Sequence, residues 1–436
     1  MSKSLIAGTT KSIENSYKKT TLKNGLRIIT VPSKSTKTAT VLVLVGAGSK
    51  YETKDINGLS HFLEHMFFKG TKKHPSTLKL IEPLDRIGGH YNAFTSQEYT
   101  GYWAKVDASH LDLALDWVSD IYLNSLLKEE EINKERGTIL QEMNMYLDTP
   151  TSYISDLWGE ILYGDQPSGW KVIGREDIIK KVKRSNFIRY IKEHYSSKNT
   201  VIAVAGNISQ SDVISRIKKY FKPINDEKIK DKLPTKEKQN RPDSLVYYKK
   251  TDQTHLYLGF RGYNIFSQDK YTLGLLATIL GGNMSSRMWI SVRERQGLAY
   301  YVGTGTDIGT DCGSFFTRAG VDNQKVERAI ETITKEYQKI KEKKITKSEL
   351  QKAKDYTKGT ALIGMEASDE QASFYAFQEL LIGQILTLEE KFDKINKATI
   401  DDIYRVANDI FQPEKLNLAL IGPFKEKNRF DKLLKI

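Results

Sequence analysis

His61-Phe62-Leu63-Glu64-His65 is the stretch of sequence that decides both the fold and the chemistry expected of this chain. The apolar periodicity around it predicts a helix with Asn57 as its N-cap. On that helix His61 and His65 are four residues apart, so their imidazoles project side by side with a spacing that suits one metal ion. Glu64 lies next to them, where a carboxylate can accept a proton from water. The order of the residues is H-x-x-E-H, the reverse of the commoner H-E-x-x-H.

An accidental match is the alternative interpretation, because short patterns recur by chance and paired histidines on a helix are often surface residues. The chain has only seven histidines in 436 residues, so two of them four apart with a glutamate between them form a rare coincidence. The predicted helix is also apolar on one side, and its polar side carries all three groups. Both observations favour metal chemistry.

A third protein ligand is required, because two histidines leave a catalytic zinc ion short of donors. Residues 128–145 have helical periodicity and contain Glu135 and Glu142, which are seven residues apart and therefore share one face. One carboxylate can bind the metal while the other orients a histidine. A solvated acidic face is the alternative, and we prefer it for the acidic run 129–131. For Glu142 the residues alone do not decide.

These residues resemble the motif of the pitrilysin-type metallopeptidases, family M16, which include pitrilysin, insulysin and mitochondrial processing peptidase. The family pattern is H-x-x-E-H, then 76 residues, then a glutamate, and here 76 residues separate His65 from Glu142. The resemblance implies one zinc ion per chain, bound by His61, His65 and Glu142. It further implies that Glu64 is the general base and that Glu135 is a supporting acidic residue outside the ligand set.

The resemblance extends over essentially the whole chain. Residues 22–29 look like the first strand of the family, and residues 58–71 look like its zinc helix throughout. Residues 92–102 are similar to the strand that pairs with the substrate backbone. This similarity implies a substrate peptide in extended conformation, contacted by Asn92, Ala93, Phe94 and Thr95.

A second candidate site lies in residues 288–301, where Arg293 and Tyr300 are seven residues apart. In the family an arginine and a tyrosine with this spacing reach across to the zinc domain, hold the substrate and stabilise the tetrahedral intermediate. A guanidinium and a phenol can both donate to a carbonyl oxygen or its oxyanion. An exposed arginine and a core tyrosine are the alternative, and the neighbouring Tyr301 leaves the register open.

The sequence also indicates an internal duplication. Apolar runs that end in glycine recur with one offset, since 216 residues separate Gly46 from Gly262 and also Gly206 from Gly422. Two landmarks with the same offset predict two homologous repeats. The offset aligns the motif of the first repeat with other residue types in the second, namely Ala277, Leu280, Gly281 and Lys358 opposite His61, Glu64, His65 and Glu142. The second repeat therefore lacks a metal site, and we expect one active site per chain.

Residues 222–243 separate the repeats, and their charged, proline-containing composition predicts an extended linker. We expect an N-terminal catalytic, zinc-binding domain over residues 1–221 and a C-terminal inactive repeat over residues 244–436 that contributes substrate-binding residues. Both halves alternate β-rich runs with amphipathic helices, which predicts an α+β fold. The resemblance implies a clam shell of two homologous domains around a cleft. One large domain with a surface loop is the alternative.

Composition restricts the partners and the compartment. The net charge of +13 comes from lysines interleaved with acidic residues, without a nucleic-acid-binding motif, so we expect no nucleic-acid partner. No apolar run approaches the length of a membrane span, and residues 1–10 lack the long apolar segment of a secretion signal. Cys312 is the only cysteine, which excludes an intrachain disulfide, and Arg27 is the first arginine, which disfavours a mitochondrial presequence. We expect the bacterial cytoplasm rather than the mitochondrial matrix.

Two functions remain. The first is a zinc endopeptidase that cuts unfolded peptides or presequence-like extensions, and the second is a non-catalytic subunit of the same family that binds peptides or supports an assembly. The intact motif favours the first. Family members of this length imply a homodimer, with a hetero-partner as the alternative. The donor types leave zinc, manganese and cobalt open as the native metal.

Overall fold

The computed structural model describes residues 17–436; the N-terminal segment used above to judge secretion lies outside the described residues. Two mixed sheets organise the chain. The first contains six strands in the order β1-β2-β6-β3-β5-β4. Their bounds are β1 (Lys18–Thr21), β2 (Arg27–Pro32), β3 (Thr38–Val45), β4 (His90–Thr95), β5 (Thr100–Asp107) and β6 (Thr200–Gly206). The second contains five strands in the order β7-β11-β8-β10-β9. They are β7 (Asp243–Tyr248), β8 (Gln253–Arg261), β9 (Ala299–Ile308), β10 (Gly313–Asp322) and β11 (Leu416–Gly422).

Fifteen α-helices in the described part of the chain pack around these sheets. Those before the linker are α1 (Leu59–Phe67), α2 (Thr77–Asp85), α3 (Leu111–Asn124), α4 (Glu129–Asp148), α5 (Pro150–Tyr163), α6 (Glu176–Ile179), α7 (Arg184–His194) and α8 (Gln210–Tyr220). Those after it are α9 (Lys270–Gly281), α10 (Val326–Glu342), α11 (Lys347–Gly364), α12 (Ser368–Leu381), α13 (Leu388–Lys397), α14 (Ile400–Ile410) and α15 (Asn428–Asp431). No helix in residues 17–436 is both long and apolar enough to cross a membrane.

The two sheets repeat one topology. Strands β2-β6-β3-β5-β4 of the first sheet correspond in order to β7-β11-β8-β10-β9 of the second. In each sheet one pair is parallel, β2 with β6 and β7 with β11, and the other pairs are antiparallel. Among the described strands β1 alone has no counterpart. This architecture confirms the expected α+β fold of two duplicated domains.

Both faces of the first sheet are covered, which explains why β3 is a continuous apolar run. Alternate residues point to opposite faces of a strand. Val41 and Val43 accordingly belong to the core formed with α1 and α3, and Leu42 and Leu44 to a second core on the opposite face. Helix α12 supplies Tyr375 to that second core.

The halves exchange one helix each. Helix α12 follows the linker in sequence but packs on β3 and β6 of the first sheet, whereas α5 precedes the linker and packs on β8 and β11 of the second. Trp158 of α5 lies in one apolar cluster with Tyr257 and Ile421 of the second sheet. Packing therefore crosses the domain boundary that we predict from the sequence.

Residues 222–242 contain neither helix nor strand, and they run between the halves in contact with both. At one point four charged side chains meet, and we refer to Lys50, Glu98, Lys232 and Asp311 as the junction cluster. Lys50 Nζ lies 3.0 Å from Glu98, and Lys232 Nζ of the linker lies 2.7 Å from Asp311. Lys50 also pairs with Asp311. The cluster thus ties the first sheet, the linker and the second sheet together.

Two expected strands have different bounds in the structure. Residues 22–26 form a turn in which Gly25 has a φ of 87°, and the strand begins at Arg27. The strand expected over residues 92–102 is a hairpin, because residues 96–99 turn the chain from β4 into β5. Strand β4 is consequently an edge strand of the first sheet.

Candidate metal and catalytic site

The N-terminus of α1 is capped by a buried carboxylate. The prediction of Asn57 as the N-cap is wrong, because Gly58 occupies that position with a φ of 96° and no side chain of its own. Glu52 accepts instead from the backbone N–H groups of Gly58 and Ser60, both at 2.7 Å. The Asn57 side chain donates to the same carboxylate at 3.0 Å. Burial raises the pKa of Glu52 to about 7. The three hydrogen-bond donors favour the charged form and offset part of this increase.

Helices α1 and α4 pack against each other and bring three donor groups together. His61 Nε2 lies 3.6 Å from one oxygen of Glu142, and His65 Nε2 lies 3.5 Å from the other. The three groups can each offer one atom to a common centre, with all of these atoms within 4.8 Å of one another. The sequence-predicted ligand set therefore converges at one point.

This arrangement fits a zinc ion. Distances of 3.5 and 3.6 Å are too long for normal hydrogen bonds between these atoms. Ligands on a tetrahedral zinc ion, with bonds of about 2.0–2.2 Å, stand roughly 3.3–3.6 Å apart. Two imidazole nitrogens and one carboxylate are also the donor set of known catalytic zinc sites, which leave one position open. The site is accessible from solvent, because the side chains of His61 and Glu142 are 13% and 22% exposed.

Glu135 contacts His65 at Nδ1, the ring nitrogen that does not face Glu142. Its Oε1 lies 2.8 Å from Nδ1 of His65, and its Oε2 lies 2.5 Å from Nζ of Lys69. Burial alone would raise the pKa of Glu135, but the hydrogen bonds with His65 and Lys69 outweigh it and hold that pKa below its usual range. An anionic Glu135 favours the tautomer of His65 in which Nδ1 carries the proton. The lone pair of Nε2 is then free to bind a metal ion at the centre shared with His61 and Glu142.

His61 has a less polar setting than His65. Its Nδ1 is buried and has no hydrogen-bond partner within residues 17–436. Burial, together with the neighbouring His65, lowers the pKa of His61 to about 3. The imidazole is consequently neutral near pH 7, which is the form that binds a metal ion.

Glu64 lies outside the converging donor set and contacts Thr95. The Thr95 hydroxyl donates to Glu64 Oε2 at 2.5 Å. Burial raises the pKa of Glu64, and the negative charge of Glu142 adds to that effect, while the Thr95 hydrogen bond and His65 oppose it. A cavity of about 380 Å³ exposes Glu64, both histidines and Glu142 to one space.

The four residues predicted to contact substrate all lie on β4, but they differ in position. Phe94 and Thr95 line the cavity that contains the histidines. The side chains of Asn92 and Ala93 do not line it; Asn92 is exposed and accepts from the backbone N–H of Ala93. Among the described strands β4 pairs with β5 alone, so its backbone offers one unpaired edge within residues 17–436.

Arg293 and Tyr300 lie together in the second half, and neither lines the cavity with the histidines. Arg293 belongs to a π-helical turn, with its guanidinium 4.2 Å from the ring centroid of Trp289 and 5.7 Å from that of Tyr300. Tyr300 is 72% exposed on edge strand β9. Tyr301 points to the other face, where its hydroxyl lies 3.0 Å from His255. Their predicted role in substrate binding remains a prediction.

Sequence reasoning missed several residues of the site. Lys69 and Glu52 carry no motif that marks them, since charged residues are common on and before helices. Asp156 and Tyr146 also line the cavity, and burial raises the pKa of Asp156 to about 6. Asp156 belongs to α5 and Glu142 to α4. Helical periodicity does not continue from one helix to the next, so it could not have predicted that Asp156 lies near Glu142.

Comparison with known proteins gives consistent matches over both halves. Residues 27–175 match a family model described as Insulinase (Peptidase family M16), and residues 181–356 match one described as Peptidase M16 inactive domain. An uncharacterized zinc protease of Bacillus subtilis, YmxG, is 36% identical over 93% of this chain and 98% of its own. An uncharacterized zinc protease of Streptomyces coelicolor is 33% identical over 94% of this chain and 90% of its own.

Solved structures agree with these matches. The crystal structure of a protease from Helicobacter pylori has a TM-score of 0.86 and 25% sequence identity, and the match covers 93% of this chain and 99% of that one. A Pseudomonas fluorescens structure described as a peptidase M16 inactive domain also has a TM-score of 0.86, at 16% identity, over 94% of this chain and 99% of that one. This second likeness concerns the fold.

Proposed function

The chain belongs to peptidase family M16, and on that premise we propose that it is a zinc-dependent endopeptidase that hydrolyses unfolded peptides or presequence-like extensions. One observation carries the proposal. His61, His65 and Glu142 converge at distances that suit a metal ion, and a further carboxylate, Glu64, shares their cavity without joining the donor set. A merely structural metal site would need no such carboxylate.

In the proposed reaction the metal ion acts as a Lewis acid, and side chains of the protein transfer the proton. A zinc ion held by His61, His65 and Glu142 supplies a Lewis acid, which makes water more acidic and polarises a carbonyl. Glu64 accepts the proton of the attacking water and returns it to the leaving amine. Thr95 orients the carboxylate through its hydroxyl.

Substrate enters as an additional strand beside β4. The free edge of this strand ends at Phe94 and Thr95, which reach the cavity, so a peptide paired with it passes next to the metal ligands. Backbone hydrogen bonds then supply affinity with little dependence on sequence. This mode requires an extended peptide, which favours unfolded substrates over folded ones.

Arg293 and Tyr300 complete the site when the halves close around a peptide. Both are available for that role, since Tyr300 is exposed and Arg293 stacks on an aromatic ring without an ion-pair partner among residues 17–436. Each can donate to the carbonyl oxygen of the bond that is cut. Closure of this kind depends on the linker and on the packing of α5 and α12.

We further propose a homodimer in the cytoplasm of a bacterium, with a hetero-partner as the alternative to the second copy. The relatives of similar length named above are bacterial. Light scattering on the purified protein measures the assembly directly, with a mass of 49.7 kDa for one chain.

A test of the function combines metal analysis with a library of quenched fluorescent peptides. We expect the zinc-loaded protein to cleave unfolded peptides, a chelator to abolish cleavage, and added zinc to restore it. Zinc binding without any cleavage, in the presence and absence of candidate partner subunits, would instead support the non-catalytic, peptide-binding role. Absence of zinc binding would overturn both the site and the proposal.

A further inference from the structure

A second large cavity lies away from the metal ligands. It has a volume of about 1010 Å³, opens to solvent, and is lined by α9 with the preceding loop, α11, α12, α13 and the end of β9. It shares no lining residue with the cavity around the histidines. Most of its wall is apolar, and α12 and α13 contribute Phe374, Phe377, Leu381 and Leu388.

Three lysines line this apolar cavity. Lys391 lies with its Nζ 4.0 Å from the ring centroid of Phe374, and Lys270 donates to the carbonyl oxygen of Ile265 at 2.6 Å. Lys394 lines the same space. Within residues 17–436 no carboxylate forms an ion pair with any of the three, and Glu370 at the cavity wall is exposed.

Burial in the apolar wall disfavours the protonated form of these lysines, and their mutual repulsion disfavours it further. Burial, followed by the charge of Lys270, lowers the pKa of Lys391 to about 8. Burial and the charge of Lys394 lower the pKa of Lys270. An anion in this cavity would relieve both the repulsion and the cost of desolvation. The surrounding aromatic and aliphatic side chains require that this anion be attached to an apolar body.

The cavity adjoins the catalytic cavity through one aromatic contact. Phe94 lines the space around the metal ligands, and its ring centroid lies 6.0 Å from that of Phe377, which lines the second cavity. Thr306 and Ile308 of edge strand β9 also face the second cavity. The two cavities are therefore neighbours, with the packed rings of Phe94 and Phe377 between them.

We propose that this second cavity binds the C-terminal end of a substrate peptide, with the free carboxylate at Lys391 and Lys270 and apolar final residues against Phe374 and Phe377. The inference rests on the proposed peptidase function and deepens it by naming the preferred substrate class. Anchoring the C-terminus would place the cleaved bond at a set distance from the end of the peptide. An amidated peptide lacks the charge that the lysines recognise.

Binding without cleavage tests the proposal. The probe is an N-terminally fluorescein-labelled 15-residue peptide that ends in three leucines, made with a free carboxylate and as the C-terminal amide. Fluorescence anisotropy is measured with the Glu64→Gln variant, so that no probe is consumed. We expect the acid to bind at least about tenfold more tightly than the amide, because only the acid offers the lysines a charged hydrogen-bond acceptor.

Variants locate the effect. Lys391→Met, made in the same Glu64→Gln background, should remove the preference for the acid and leave the affinity for the amide unchanged, whereas Lys391→Arg should keep the preference. Lys335→Met serves as the matched control, because Lys335 is exposed on α10 and does not line the cavity. Circular dichroism verifies that each variant folds. Equal binding of acid and amide, or an acid preference that survives Lys391→Met, would overturn the assignment.

Two further measurements separate this inference from the proposed function. An acid preference that depends on Lys391 supports the C-terminal site even if the wild-type protein cleaves no peptide. Cleavage by the wild type without an acid preference overturns the C-terminal site alone. Palmitate is a competitor that distinguishes the source of the carboxylate. If palmitate binds in a manner that depends on Lys391, and peptide acids gain nothing over amides, the cavity is a fatty-acid site and the proposal is wrong.

Discussion

Glu135 Oε1 lies 2.8 Å from His65 Nδ1, on the side of the imidazole opposite to Glu142. The carboxylate is 7% exposed, and its second oxygen pairs with Lys69. Glu135 and Glu142 thus serve one imidazole from two turns of α4, one at each ring nitrogen. The spacing of seven residues places both carboxylates on one face of α4, and the packing of α4 against α1 brings that face to His65.

Replacement of Glu135 should weaken metal binding without removing a ligand. We expect Glu135→Gln to lower zinc affinity by about 10–100-fold, because the amide no longer fixes the tautomer of His65 as strongly. Competition with a chromogenic chelator measures the affinity. Glu130→Gln, an exposed glutamate on the same helix, is the matched control and should bind zinc like the wild type. Unchanged zinc affinity in Glu135→Gln would contradict the role of this carboxylate.

Loss of the Thr95 hydroxyl should affect catalysis and leave the metal in place. Thr95 donates to Glu64, and within the described part of the chain it forms no hydrogen bond with His61, His65 or Glu142. We expect Thr95→Val to reduce kcat/KM by about tenfold, the effect of losing one hydrogen bond to a charged group. Thr95→Ser should retain most of the activity. A fall in zinc content, rather than in turnover by zinc-loaded protein, would argue that Thr95 supports the metal site instead.

The carboxylate cap of α1 should contribute to folding stability. Glu52→Ala deprives the N–H groups of Gly58 and Ser60 of their acceptor in a buried setting, and we expect a loss of about 2–4 kcal/mol in the free energy of unfolding. Glu52→Gln keeps one acceptor and should lose less. Urea denaturation measures both variants, with the exposed Asp55→Asn as a control. Wild-type stability in Glu52→Ala would show that the cap is unimportant.

Helical periodicity predicted two local pairs of the site, whereas the choice of Glu142 as the third ligand came from the resemblance to the family, because the packing of α4 on α1 is not local. The intervals from His61 to His65 and from Glu135 to Glu142 are helical periods, so helical geometry alone places each pair on one face. The carboxylate cap at Glu52 was missed, since Asn57 is the commoner type of cap and the turn before α1 has no periodicity. The sequence nevertheless predicted α1 and α4 near their observed positions.

The exchange of α5 and α12 was not predicted. Each helix is amphipathic, and periodicity shows that a helix has an apolar face without showing which sheet covers it. The duplication offset was more informative, because it aligned the starts of β2 and β7 and of β6 and β11. The alignment predicted that the two halves are homologous repeats, whereas the packing between the halves depends on contacts far apart in sequence.

Acid should weaken the junction cluster. Burial opposes ionisation of Asp311, but its hydrogen bonds with Lys232 and Lys50 outweigh burial and hold its pKa well below the usual range. A lowered pKa in the folded state stabilises the protein above the unfolded pKa of about 3.9, and this contribution declines as the pH falls below that value. Asp311→Asn should therefore lose about 1–3 kcal/mol at pH 7 and at pH 5, which is less than the loss for a fully buried ion pair because Asp311 is partly exposed.

The difference between the wild type and Asp311→Asn should shrink at pH 3. Urea denaturation at pH 7, 5 and 3 measures it, and Asp369→Asn, which breaks the more exposed pair with Lys105, is the control. A difference that is as large at pH 3 as at pH 7 would mean that the charge of Asp311 is not its source.

Glu64→Gln is the most direct test of the central claim, which is that this glutamate performs the proton transfer beside a metal held by His61, His65 and Glu142. Zinc content and kcat/KM on one quenched peptide are measured for the wild type and the variant in the same preparation. We predict one zinc ion per chain in both proteins, with kcat/KM at least about 100-fold lower in the variant, as expected for loss of a general base. A Glu64→Gln protein that binds zinc and cleaves the peptide at the wild-type rate would contradict the account.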